Sequence, residues 1–78
     1  MAWASFVTEL DEAREHLEAL TEKLTREGNC EESDLAVDLG HIYAHLNRAW
    51  NSRNQVQEIA SEQWQELSSF PKDLTPVG

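Results

Sequence analysis

The sequence predicts an all-α protein: an antiparallel helical hairpin that pairs with a second copy to form a four-helix bundle. Three observations carry this expectation. Apolar residues recur at alternating steps of three and four in both halves of the chain. A short glycine-containing, acid-rich stretch separates the two runs, and one flank of the resulting helix pair is much more apolar than the other.

The first run places Trp3, Phe6, Leu10, Ala13, Leu17, Leu20 and Leu24 at helical seam spacing, with no proline or glycine between them. Lys23 and Arg26 suit the negative end of the helix dipole, and Gly28 is placed for a left-handed cap. The first helix is therefore expected over about 2–27. Asn29, with Glu32 three residues on, or Ser33 is expected to cap the next helix, whose first turn carries Glu31, Glu32 and Asp34. So short a connection makes the two helices antiparallel.

The second run, DLAVDLGHIYAHLNRAW, keeps its seam at Leu35, Leu39, Ile42, Leu46 and Ala49, then meets Asn51-Ser52-Arg53-Asn54. Asn47, Asn51 and Asn54 together cost a helix on the order of 2 kcal/mol relative to alanine. No proline or glycine sits there to enforce a kink, and apolar spacing resumes at Val56, Ile59, Ala60, Trp64 and Leu67. One long helix over about 31–69 is expected, with 51–54 as the place where a break would fall. Such a helix would span about 54 Å against about 39 Å for the first, leaving Trp64 and Leu67 overhanging. The helical hairpin domain then covers 1–69, and 70–78, with Pro71 and Pro76, forms an irregular tail.

Taking Leu10 and Leu17, and Leu39 and Leu46, as corresponding seam positions, one edge reads Glu9, His16, Lys23 against Asp38, His45, Ser52. A turn near Asn29 brings Lys23 level with Asp38 and His16 level with His45. The other edge reads Val7, Arg14, Thr21 against Ala36, Tyr43, Trp50, and its apolar stripe is too wide for one partner helix to cover. Val7, Tyr43, Trp50, Trp64 and Leu67 are thus the expected self-association residues, since amphipathic aromatics are enriched at interface centres. The alternative is a chain that folds back at 51–54, so that Trp50 closes a monomeric three-helix core.

With 78 residues the core is thin, and chains of this size gain stability from metals, disulfides or partners. Cys30 is the single cysteine, so no internal disulfide forms, and the acids that follow it disfavour its thiolate. Fifteen acidic against six basic residues give a net charge of −9, which repels nucleic acid and suits a basic protein partner. No apolar run is long enough for a membrane span and no secretory leader is evident, so a soluble cytoplasmic protein without nucleic-acid or membrane binding is expected.

Two groups of residues invite chemistry. His41 and His45 stand four apart on one helix side, Asp38 precedes His41 by three, and His16 approaches from the first helix with Glu12 a turn away. Facing helices build metal sites from such sets. However, the glutamate-x-x-histidine signature is absent and its aspartate variant occurs once, so no cofactor is expected; any metal would draw on His16, Asp38, His41 and His45. The second group is a recognition patch for a protein partner, Asn47, Arg48, Asn51 and Arg53 around Trp50. No catalytic triad, phosphate loop or basic stripe is present, and two helices make a poor water-excluding pocket. The expected function is a non-catalytic oligomerisation or protein-interaction module. A metal-binding bundle and an acidic inhibitor of a basic partner are the alternatives.

Overall fold

A computed structural model of the chain describes residues 1–55 and 60–78. Three helices follow one another among the described residues, with no strand: α1 (Trp3–Glu27), α2 (Glu32–Asn51) and α3 (Ser61–Leu67). Helices α1 and α2 form the expected antiparallel hairpin, and α3 packs on α2.

Helix α1 ends where Gly28 takes the left-handed conformation (φ 76°), its N–H bonded to the Leu24 carbonyl at 2.8 Å. A side chain at this position would be strained, so the glycine sets where the chain turns. Neither Asn29 nor Ser33 caps α2. Glu31 occupies the capping position in extended conformation without a side-chain hydrogen bond, and Glu32 and Asp34 supply negative charge to the first turn. The dipole stabilisation by these two acids is what this N-terminus has in place of the expected side-chain cap.

The core between the two helices is small. Ala13, Leu20 and Ile42 are buried together, with Leu24 and Leu35 packed against them. Higher along the hairpin, small Ala13 and buried Ala49 leave room for polar side chains between the helices, and His45 and Arg48 are buried there.

The expected long second helix is not continuous. It stops at Asn51, and Ser52, Arg53 and Asn54 form a turn. The weak helix propensity of this stretch leaves the helix easily broken, and tertiary bonds take over the polar groups. The Ser52 hydroxyl donates to the Arg48 carbonyl. Asn51 Nδ2 reaches across to the carbonyls of Leu67 (2.9 Å) and Ser69 (2.8 Å), and Asn47 Nδ2 to that of Ser68 (2.9 Å). These donors serve the C-terminal carbonyls of α3, which an isolated helix would leave to water. The Ala2 N–H completes the junction by bonding the Arg53 carbonyl at 2.8 Å. The seam positions Val56 and Ile59 lie outside the described residues.

Beyond α3 the chain is irregular but attached. Phe70 lies against Tyr43, with ring centroids 5.3 Å apart, and Asp73 accepts the Trp50 indole N–H at 2.9 Å. Among the described residues, no helix is long and apolar enough to cross a membrane.

Candidate functional site

Heptad spacing lines up Glu9, Glu12 and His16 along one side of α1, and His41, His45 and Arg48 along the facing side of α2. Antiparallel packing then brings the three histidines into one cluster. The rings of His16 and His41 are 4.1 Å apart, those of His41 and His45 4.8 Å, and those of His16 and His45 5.2 Å. The expected levelling of His16 with His45 is met, and His41 lies closer still to His16.

His45 is the hinge of the site because its two ring nitrogens face different surroundings. Nδ1 lies 3.2 Å from Glu9 Oε1, 3.2 Å from Glu12 Oε2 and 3.0 Å from Arg48 Nη2. Two carboxylate oxygens can only accept and favour a proton on this nitrogen, whereas Arg48 Nη2 can only donate and favours the other tautomer; two acceptors against one donor place the proton on Nδ1. Arg48 Nε donates to Glu9 Oε2 at 2.7 Å, and Nη1 donates to Ser68 Oγ at 2.8 Å. The other nitrogen of His45, Nε2, is fully buried and has no hydrogen-bond partner among the described residues. A buried ring nitrogen without a partner is uncommon and calls for a physical explanation.

The cluster is anchored at one end and open at the other. Only 5% of His45 and 4% of Arg48 are exposed, whereas His16 and His41 reach solvent. Those two line an open cleft of about 240 Å³ with Ala19, Leu20, Lys23 and Asp38. The expected level pair Lys23 and Asp38 thus faces a common space, but no ion pair joins them among the described residues. The pKa of His41 is lowered, first by desolvation and then by the neighbouring His16, His45 and Arg48, while Asp38 opposes the shift. Neutral imidazole, the form that binds metals, is favoured there.

The recognition patch is largely turned inward. Asn47 and Arg48 are buried, Asn51 binds the end of α3, and the Arg48 guanidinium stacks over Trp64 at 4.1 Å. Arg53 lies half-buried over the Trp50 ring at 3.8 Å, bonded to the Trp50 carbonyl (2.8 Å) and to Asp73 (3.3 Å). These side chains hold the C-terminal segment against α2. Of the expected self-association residues, Trp50 and Leu67 are half-buried within the chain, while Val7, Tyr43 and Trp64 stay about half exposed.

Glu9 and Ser68 were not among the expected site residues. The antiparallel level rule places Glu9 within one turn of Arg48, so the sequence holds a signal for that pair. Ser68 is reached only because the chain turns back after Asn51. Cys30 stands apart from the cluster as a free, half-buried thiol whose sulfur lies 3.4 Å from the Glu31 carbonyl oxygen.

Comparison with protein families, curated proteins and solved structures finds no match to this chain, so its function is argued from the geometry alone.

Proposed function

We propose that this chain is a non-catalytic helical module that self-associates, a second copy packing on one flank of the α1–α2 hairpin. The observation that carries the reading is the exposure of the seam leucines after intrachain packing: Leu10 40%, Leu17 50%, Leu39 38% and Leu46 39%. These residues repeat every seven along each helix and lie on the flank where Val7 and Tyr43 are also exposed. Scattered exposed leucines need no explanation, but an aligned stripe on two adjacent helices is the surface a helical bundle buries.

Several features favour a second copy as the occupant. A twofold axis lets the same stripe cover itself, and the small core leaves a chain of this length with little stabilisation of its own. The strongly acidic remainder of the surface keeps such a dimer soluble and prevents further stacking. Phe70 against Tyr43 marks one limit of the open flank.

Sedimentation equilibrium tests the reading. The chain is expected to be dimeric at high micromolar concentration, and Leu17→Glu together with Leu46→Glu should make it monomeric with its helicity kept. A wild-type chain that stays strictly monomeric at that concentration overturns the proposal.

A further inference from the structure

We infer that His16, His41 and His45 form a binding site for one divalent transition-metal ion of the zinc class, with Glu9 and Glu12 orienting His45 from behind. This goes beyond self-association and stands on different residues.

The argument begins with His45. Its Nδ1 lies 3.2 Å from each of two carboxylate oxygens and 3.0 Å from Arg48 Nη2, while its Nε2 is buried and, among the described residues, unpartnered. A proton on Nδ1 leaves the Nε2 lone pair free, on a ring stacked 5.2 Å from His16 and 4.8 Å from His41. Carboxylate on one ring nitrogen and metal on the other is the usual arrangement around a metal-bound histidine, because it settles the tautomer and raises the basicity of the ligating nitrogen. A bound ion also accounts for the missing partner of Nε2, which water or protein otherwise supplies in a buried site.

The distances suit this use. One ligand nitrogen from each of the three histidines lies within 4.8 Å of the others. Tetrahedral zinc with nitrogen ligands at about 2.0–2.1 Å needs those atoms about 3.4 Å apart. The two solvent-facing rings, His16 and His41, can close that gap by side-chain rotation, while buried His45 stays in place. A preformed ligand and two adjustable ones make a site that assembles without backbone movement.

Chemistry and charge agree. Imidazole nitrogens suit zinc, copper, nickel and iron rather than magnesium or calcium. Two glutamates with one arginine leave the surroundings net negative for an incoming dication. Glu9, Glu12 and His45 also lie within ligand distance of one another, but Glu9 is already engaged by Arg48, so the three-histidine set is the better site. His16 and His41 also line the open cleft that Asp38 shares, which gives an ion a path from solvent.

Calorimetric titration of the tag-free, metal-stripped full chain with zinc chloride tests the site. One ion per chain is expected, with affinity at least tenfold weaker in His16→Ala and in His41→Ala. Both residues are solvent-facing, so these variants should keep their helicity, whereas His45→Ala removes a buried group and is a poorer test. Absence of saturable binding, unchanged affinity in either variant, or half an ion per chain overturns the inference, the last by placing the ion between copies.

Discussion

Replacing Arg48 by methionine probes the buried polar layer directly. Its guanidinium side chain is 5% exposed and that of Glu9 is 14% exposed, with Nε and Oε2 2.7 Å apart. Removing the cation strands a carboxylate between the helices, and breaking a buried pair from one side costs about 3–5 kcal/mol. The Ser68 hydrogen bond and the stacking on Trp64 are lost as well, each worth about 1 kcal/mol. A domain of this length has roughly 4–12 kcal/mol of total stability, at 0.05–0.15 kcal/mol per residue. Arg48→Met is therefore expected to leave the chain close to unfolding. Adding Glu9→Gln removes the stranded charge, so the double variant should be more stable than Arg48→Met alone by about 2 kcal/mol. Urea unfolding followed by far-ultraviolet circular dichroism measures all three variants. A loss below about 1 kcal/mol for Arg48→Met, or a double variant less stable than the single one, would refute the account, because the pair would then behave like a solvated surface bridge.

Two more outcomes follow from the way the C-terminal segment is held. Asn51→Ala removes the donor to the Leu67 and Ser69 carbonyls and should cost about 1–2 kcal/mol, seen as faster amide exchange and proteolysis in α3 while α1 and α2 stay protected. Asp73 has its pKa lowered first by the Trp50 indole N–H bond, with Arg53 adding to the shift and desolvation opposing it. Its docking is thus complete above the ordinary carboxylate range and is lost as pH falls through the depressed folded value. The Trp50 indole proton resonance should report that release, and in Asp73→Asn it should lose this pH dependence.

The two main helices and their antiparallel pairing are legible in the sequence because they follow from local quantities. Seam spacing from Trp3 to Leu24 and from Leu35 to Ala49, a glycine at position 28 and a short connection leave little choice once apolar faces must meet. The histidine cluster was legible for the same reason: with direction and turn position given, residues on facing edges can be matched by level. The end of α2 was not. Asn47, Asn51 and Ser52 argue only weakly against a helix, and what stops it at Asn51 is a set of bonds to a segment some twenty residues further along the chain. The roles of Arg48 and Trp50 were hidden by the same fact. Side chains that read as a surface patch become internal when a distant strip of backbone folds over them, and no local pattern encodes that distance. Only the tertiary structure gives His45 one ring nitrogen among carboxylates and the other without a partner among the described residues, because burial and hydrogen bonding depend on every neighbouring element together.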